Sequence, residues 1–172
     1  MTYSLQHRLA AACIAQTTVA TPLGPVLLAR TAHGLAGAWF EGQKAHPGTL
    51  PARRADDDAL LVAAGRQLAE YFAGRREDFD IALDLDHGTA FQRAVWQALR
   101  RIARGATTSY GALARELGVP AATRAVGAAI GRNPLSVIVP CHRVVGSDGG
   151  LTGYAGGLAR KQALLRLEGG AA

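Results

Sequence analysis

The sequence predicts an α+β protein, with a small antiparallel sheet and one helix in its first half and a mainly helical second half. Three observations support this fold class. Short apolar runs separated by glycine and proline occupy the start of the chain, whereas later apolar residues recur mostly at helical spacing. The charge balance also changes near Asp86–Gly88: residues 1–85 carry 8 Lys/Arg and 9 Asp/Glu, and residues 86–172 carry 11 and 4. We therefore expect two domains, residues 1–86 and 87–172.

Three strands are predicted near the start of the chain, over Cys13–Val19, Val26–Arg30 and Leu35–Phe40. The first two are joined through Thr21–Pro25, whose prolines and glycine indicate a turn. Strands this close in sequence favour an antiparallel meander.

A helix and a further strand complete the first half. Asp56–Asp58 places negative charge at a helix start, apolar residues recur at helical spacing over Leu60–Phe72, and Gly74 would end the helix. Apolar and polar residues then alternate over Phe79–Asp86, which predicts a strand with one solvated face. No pattern in this half indicates catalysis.

The overall composition limits what the protein can be. At 172 residues, with 49% hydrophobic and 19% charged residues, the chain is long enough for a packed core, and bulk disorder is not expected. It contains no apolar run long enough to span a bilayer, and Met1–Ala20 lacks the pattern of a secretion signal, so we expect a cytoplasmic protein. Cys13 and Cys141 lie far apart without a CxxC motif, which indicates free thiols in a reducing compartment.

The positive charge of the second half indicates a polyanionic partner. The formal net charge is +6, and all of the excess lies after residue 85. Such asymmetry is typical of a surface that meets nucleic acid. A basic, solvated surface without a partner is the alternative that charge alone leaves open.

The second half is predicted to begin with a helix. Thr89–Gln92 matches a capping box, which indicates the helix start, and Gly105 would end it. The predicted apolar face of this helix comprises Phe91, Val95, Leu99 and Ile102.

Two further helices form a helix-turn-helix pattern, with helices over Ser109–Leu117 and Ala121–Gly131 and a turn at Gly118–Pro120. Any helix corner gives this pattern. The second helix consists almost entirely of small residues, with Arg124 as the long side chain near its start. It is therefore narrower than the usual width of about 10–12 Å, which suits a widened DNA minor groove. Small residues equally permit close packing against the protein core.

The stretch Ile138–Val145 combines a cysteine and a histidine with an apolar run that predicts a buried strand. Cys141 and His142 are residue types that act as nucleophile and base at neutral pH. Neighbouring side chains in a strand point to opposite faces, so these two interact only through a water or where the chain bends, as Pro140 favours. The pair is equally compatible with a small core residue beside a hydrogen-bonded core histidine.

A glycine-rich loop and a final helix follow. The loop, Gly146–Gly157, lacks the GK[ST] of a phosphate-binding loop and is predicted to form a flexible pocket wall with Tyr154 as its aromatic residue. The helix over Leu158–Glu168 ends with a carboxylate, which the helix dipole disfavours there. Glu168 is therefore either solvated or paired, and a hydrogen bond to His142 would orient the imidazole and favour its protonated form.

Five motifs, in this order and spacing, closely resemble those of the O6-alkylguanine-DNA alkyltransferases, also called methylated-DNA–protein-cysteine methyltransferases. They are Arg124–Gly127, Asn133–Pro134, Pro140–Val144, Gly153–Gly157 and Glu168. The similarity is strong over residues 89–169, and Pro-Cys-His-Arg-Val is highly specific. It implies a ribonuclease H-like N-terminal domain and a winged-helix-like C-terminal domain, in the stand-alone form of the family.

The resemblance implies a reaction and a role for each residue near the cysteine. Cys141 would accept an alkyl group from O6-alkylguanine, and from O4-alkylthymine, in a single irreversible turnover. His142 would act as a base through a water and would be held by Glu168. Asn133 would shape the turn that carries the cysteine.

The resemblance also implies how DNA is bound. Double-stranded DNA would be held through its minor groove, with Arg124 and Tyr110 helping to rotate the nucleotide out of the stack. The other DNA-contacting residues of the small-residue helix would be Ala125, Gly127 and Ala128. The base pocket would be lined by Tyr154, Gly153, Ala155, Gly156 and Val144. A monomer in solution is expected, and cooperative binding along DNA is left open.

Some variation within the family bears on this chain. Some members have serine where this chain has Ala155, so a hydroxyl contact to the base is not assumed. Members that only bind lesions lack the cysteine, so Cys141 argues against that class. Some members bind zinc in the N-terminal domain, but the candidate ligands here lack suitable spacing, so neither a metal nor a cofactor is expected. These candidates are Cys13, His7, His33, His46 and His87.

Other functions are compatible with parts of the pattern. A cysteine hydrolase would use Cys141, His142 and Glu168 as a triad, but it would not explain the basic second half. A DNA-binding helix-turn-helix protein without transfer activity would leave Cys141 as a core residue. A methyltransferase that uses S-adenosylmethionine would need a strand-glycine-helix nucleotide motif, which the sequence lacks.

Overall fold

The computed structural model describes residues 4–169, and the chain divides into two compact units, Met1–Gly88 and Thr89–Ala172. The first unit contains a four-stranded sheet and two helices, and the second contains four helices and a two-stranded sheet among the described residues. The predicted α+β class is therefore confirmed. No helix within residues 4–169 has the length and apolar character that crossing a membrane requires.

The sheet of the first unit is the predicted antiparallel meander with one added strand. Strands β1 (Ala15–Val19), β2 (Val26–Arg30) and β3 (Leu35–Phe40) pair antiparallel in chain order. The short β4 (Arg53–Arg54) pairs parallel with β1, so the strand order is β3-β2-β1-β4. The second strand and the third have the predicted bounds, because β-branched and apolar residues between turn residues are reliable strand signals.

Two helices accompany this sheet. The helix α2 (Ala59–Phe72) begins where predicted, because the Asp58 carboxylate accepts the amides of Leu60 and Leu61, and Gly74 follows its end with φ +72°. The helix α1 (Leu5–Ala12) was not predicted; the Ser4 hydroxyl caps it, and only two of its residues are buried.

The predicted strand over Phe79–Asp86 is wrong. The segment makes only an isolated bridge between Leu35 and Leu83, and side chains satisfy much of its remaining backbone. Gln67, for example, exchanges hydrogen bonds with both the amide and the carbonyl of Asp80. Asp84, expected on the solvated face, is buried and accepts the hydroxyl of Thr31 at 2.5 Å. Hydrogen bonds from the side chains of Gln67 and Thr31, which lie far away in sequence, take the place of a strand ladder here.

The second unit opens with α3 (Ala90–Leu99), whose start shows the predicted capping box of Thr89 and Gln92. The predicted apolar face is partly wrong. Ile102 lies beyond the end of the helix. Phe91 is exposed because Trp96 orients the helix: its side chain is fully buried and donates its indole N–H to Ala129 O at 2.9 Å.

The helix-turn-helix is present with a longer connection between its helices than predicted. A two-residue strand, β5 (Thr108–Ser109), leads into α4 (Tyr110–Glu116), which Ser109 caps. A single 3₁₀ turn at Pro120–Ala122 precedes α5 (Thr123–Gly131), so the second helix starts two residues later than expected.

The Cys-His segment is not the predicted buried strand. Cys141–Arg143 form a 3₁₀ turn, and only Val144–Val145 are extended, as β6, which pairs parallel with β5. The bend occurs at Pro140, where ψ is 64°, and the carbonyl of Val139 accepts the side chain of Asn133 and the amide of Cys141 instead of a neighbouring strand. The last helix of the described residues is α6 (Leu158–Leu167), with Glu168 as its C-cap.

Candidate active site

Cys141 lies at the start of the 3₁₀ turn, with 4% of its surface exposed. The Asn133 side chain holds the turn together: its Nδ2 donates to Val139 O at 2.9 Å and to the thiol Sγ at 3.1 Å, and its Oδ1 accepts the Leu135 amide at 3.0 Å. The asparagine that directly follows the helix-turn-helix therefore contacts the sulfur.

The turn between Asn133 and Cys141 contains a strained residue. Val137 has φ +73°, a left-handed conformation that is unfavourable for a β-branched side chain. The residue is nevertheless buried, and the amide of Val139 closes the turn onto Leu135 O at 2.9 Å. Packing and these hydrogen bonds compensate for a backbone cost of roughly 1–3 kcal/mol.

His142 is fully buried and its ring is fixed by a carboxylate. Its Nε2 lies 2.9 Å from Glu168 Oε1, and Arg143 binds the same carboxylate through Nε at 2.9 Å and Nη2 at 2.8 Å. Because Arg143 keeps Glu168 ionised, Nε2 carries the donated proton and Nδ1 carries the lone pair. Within the described residues Nδ1 has no hydrogen-bond partner.

Burial determines the ionisation of the pair. It lowers the pKa of His142, against the hydrogen bond and charge of Glu168, which raise it. Glu168 favours the protonated imidazole, as expected, but desolvation of the charged ring outweighs the carboxylate, so the net pKa is lowered. Burial likewise raises the pKa of Cys141, opposed first by the Asn133 hydrogen bond and then by the charge of Lys161. The resting site thus contains a thiol and a neutral imidazole.

Lys161 is a buried cation beside this site that the sequence analysis did not identify. Its Nζ donates to the carbonyls of Val144 at 2.5 Å, Thr152 at 2.9 Å and Gly153 at 3.1 Å, so it joins β6 to the glycine-rich loop. Burial lowers its pKa to about 8. One sign of its burial is present in the sequence: Lys161 stands three residues before Leu164, so both lie on the buried face of α6.

Arg143 is the other residue that the sequence analysis did not assign. It stands in the Pro-Cys-His-Arg motif, and its Nη1 also donates to Ile102 O at 2.5 Å. The available signal was its place in the motif, directly after the candidate base His142.

Tyr110 lies between α5 and the glycine-rich loop. Its hydroxyl donates to Thr152 O at 3.0 Å, and a Cβ at Gly127 would lie 3.7 Å from its ring. Gly153, with φ +48°, would place a Cβ 3.9 Å from the hydroxyl. Of the other predicted pocket residues, Val144 and Gly156 are buried and Tyr154 and Ala155 are half-buried.

The structure brings some predicted site residues together and separates others. Cys141, Asn133, His142 and Glu168 form one connected cluster. The predicted DNA-contacting residues of α5 lie apart from that cluster: Arg124, Ala125 and Ala128 are exposed on a face opposite the buried residues of the helix, and Gly127 is half-buried. Between residues 4 and 169, no three His, Cys, Asp or Glu side chains gather as a metal site requires.

Comparison with known proteins identifies the family. The family model for the 6-O-methylguanine DNA methyltransferase DNA binding domain matches residues 90–170, and the model for the ribonuclease-like domain of the same proteins matches residues 14–85. The methylated-DNA–protein-cysteine methyltransferase of Methanosarcina acetivorans is 47% identical over 150 residues, which cover 87% of this chain and 94% of that protein. The protein of the same name from Mycobacterium bovis is 46% identical over 151 residues, covering 88% and 90%.

Solved structures agree with these matches. The crystal structure of Mycobacterium tuberculosis OGT in complex with DNA has a TM-score of 0.81 and 45% identity, covering 90% of this chain and 92% of that one. The O6-methylguanine-DNA methyltransferase of Pyrococcus kodakaraensis has a TM-score of 0.63 at 25% identity, covering 90% and 98%. Both family models, these identities and the buried Cys-His-Glu cluster lead to one conclusion: the chain belongs to the methylated-DNA–protein-cysteine methyltransferases.

Proposed function

We propose that this chain repairs O6-alkylguanine, and O4-alkylthymine, in double-stranded DNA by moving the alkyl group irreversibly to its own Cys141. One observation carries the proposal: a buried thiol accepts a hydrogen bond from Asn133 next to a neutral imidazole that Glu168 holds. A cysteine buried only for packing requires none of these partners. Family membership supports the same assignment, since the relatives carry the name of this activity.

In the proposed reaction Cys141 is both the nucleophile and the final acceptor. As the base enters, the thiol proton passes through a water to Nδ1 of His142, the ring nitrogen with a free lone pair. The sulfur then attacks the alkyl carbon, the carbon–O6 bond breaks, and guanine leaves with the electron pair and takes up one proton. The thioether does not hydrolyse, so each molecule reacts once.

The buried ions around the cysteine support this sequence of steps. When His142 accepts the proton, its new charge lies 2.9 Å from the Glu168 carboxylate, which Arg143 keeps ionised and oriented. The charge of Lys161 favours the thiolate as it forms. The charges that appear only during transfer are thus stabilised by the residues around the cysteine, namely His142, Glu168, Arg143 and Lys161.

DNA binding is proposed to use α5, with the target nucleotide rotated out of the stack. The alkylated atom of a paired base is inaccessible inside the duplex, so extrusion is a chemical requirement. The exposed face of α5, which has small side chains apart from Arg124, suits the minor groove, and Tyr110 stands between this helix and the glycine-rich loop. The Mycobacterium tuberculosis OGT–DNA complex supports DNA as the partner. We propose binding by a monomer.

Two other functions make different predictions. A lesion-binding protein without transfer activity would bind alkylated DNA and keep its mass. A cysteine hydrolase would return to its original mass after each turnover, and it would not explain the excess positive charge of the second half. The proposed transfer from DNA accounts for that charge.

The test is the mass of the intact protein after mixing with a duplex that contains O6-methylguanine. We expect the mass of one methyl group per molecule, located on the Cys141 peptide. Cys141→Ala should gain no mass and still bind the lesion, and Cys13→Ala, which changes the other buried thiol, should gain it as the wild type does. An unchanged mass of folded wild-type protein would refute the proposal, and loss of lesion binding by Cys141→Ala would make that cysteine mainly structural.

A further inference from the structure

The second unit has more arginines than its carboxylates neutralise. From Thr89 onward the chain has 11 Lys/Arg but only 3 Asp/Glu. Two of these carboxylates are already paired: Glu116 with Arg101 at 2.5 Å, and Glu168 with Arg143. Several exposed guanidinium groups therefore have no carboxylate partner within residues 89–169.

Two of these unpaired arginines mark the ends of the exposed face of α5. Arg124 lies in its first turn and Arg132 is its C-cap; both are exposed, and neither side chain has a partner in the described part of the chain. At 100° and about 1.5 Å per residue, they fall within one third of the helix circumference and lie about 12 Å apart along the axis. The exposed surface between them consists of Ala125, Ala128 and Gly131.

A third unpaired arginine lies in α4, the helix that packs against α5 and begins with Tyr110. Arg115 in α4 is exposed, and its Nη1 lies 3.6 Å from the position of a Cβ at Gly111. The guanidinium therefore folds back over the first turn of α4, which begins with Tyr110. The Tyr110 ring in turn lies against Gly127 of α5.

We propose that Arg115 and Arg132 bind phosphates of the DNA backbone at the margins of the α5 face, an inference that rests on the proposed function. The minor groove is about 6 Å wide and is bordered by the phosphates of both strands. A helix face with small side chains enters it, while cations at its margins reach those phosphates. A guanidinium without a carboxylate partner is free to bind phosphate bidentately, whereas Arg101 is already neutralised by Glu116.

The experiment compares four variants that each lower the net charge by one: Arg115→Gln, Arg132→Gln, and the controls Arg101→Gln and Arg166→Gln. The second control lies in the last turn of α6, outside the helix-turn-helix. Kd for an unmodified duplex is measured between about 50 and 200 mM KCl. We expect Arg115→Gln and Arg132→Gln each to reduce the slope of log K against log salt by about 0.9, and the double variant by about 1.8. Both controls should keep the wild-type slope.

Equal slopes in the wild type and all variants would overturn the proposal. Equal reductions in all four single variants would overturn it too, because they would reflect net charge instead of two contacts. Transfer from free O6-benzylguanine, which needs no phosphate contact, is followed on the same preparations. Normal transfer with unchanged slopes refutes only the phosphate contacts. No transfer by the wild type, with slopes that fall as expected, refutes the proposed function and leaves the contacts supported.

Discussion

Each unit contains one free, buried cysteine and one histidine paired with a carboxylate, yet the surroundings of the two thiols differ. In the first unit Cys13 packs in an apolar cluster with Trp39, and its pKa is raised to about 11 by burial and by the charge of Asp84. That carboxylate is bound by Thr31 and by His87, whose Nε2 lies 3.1 Å away. No arginine binds it among the described residues.

The second unit surrounds its cysteine with donors and cations instead. Burial raises the pKa of Cys141 as well, but Asn133 donates to its sulfur and the charge of Lys161 favours the thiolate. The carboxylate of this unit is bound by both His142 and Arg143. Neither burial nor a nearby histidine–carboxylate pair therefore marks a reactive thiol. The two thiols differ in the groups near the sulfur: a carboxylate disfavours the thiolate of Cys13, whereas a hydrogen-bond donor and a cation favour that of Cys141.

The largest difference between the two units is expected when the histidine of each histidine–carboxylate pair is replaced. His142→Leu removes the proposed base but leaves Glu168 bound by Arg143, so no buried charge loses its counter-ion. We expect the rate of transfer from free O6-benzylguanine to fall by about 10²-fold or more, as is typical when a general base is lost. Single-turnover kinetics monitored by intact mass measure this rate.

His87→Leu is the matched control, because it removes the histidine of the other pair. It should transfer at the wild-type rate. Equal losses in the two variants, with melting temperatures that fall together, would mean that His142 contributes stability and not chemistry.

A smaller effect is expected at the proposed DNA-binding surface. Arg124→Ala should slow repair in duplex DNA by about tenfold, which corresponds to roughly 1.4 kcal/mol of activation free energy. Extruding a nucleotide costs a few kcal/mol, and Arg124 is proposed to offset part of that cost. Reaction with free O6-benzylguanine should be unaffected, because a free base needs no extrusion. Arg166→Ala, which removes an exposed arginine outside the helix-turn-helix, should change neither rate. Equal losses on both substrates for Arg124→Ala would argue against a role in nucleotide rotation.

The parts of the fold that the sequence predicts well depend on local signals. The strands β2 and β3 and the helix α2 are bounded by turn residues or a capping carboxylate, so the decisive interactions lie within a few positions. The predicted strand at the Cys-His segment was wrong because the structure of this segment depends on Asn133, eight residues before Cys141. The Asn133 side chain binds Val139 O and the Cys141 thiol. An apolar run does not reveal that a distant amide will replace its ladder.

The candidate site shows the same division. Glu168 was connected to His142 because a carboxylate at a helix C-terminus is unusual and needs an explanation. Arg143 and Lys161 were missed because long cations are usually solvated, and only the fold shows that both are buried. Their partners, Glu168 and three backbone carbonyls, come from segments that the sequence does not place beside them.

The smallest effect concerns pH, and it tests whether burial or Glu168 controls His142. Burial lowers the pKa of this imidazole below its ordinary value of 6.5, so the base stays unprotonated as the pH falls through 6.5 and is lost only below that value. The rate with free O6-benzylguanine should therefore change less than about twofold between pH 7.5 and 6.5, since half protonation marks the pKa. His142→Leu should show no inflection on the acid side. A wild-type midpoint above 6.5 would mean that the carboxylate outweighs burial, and the resting site would then hold an imidazolium beside the thiol.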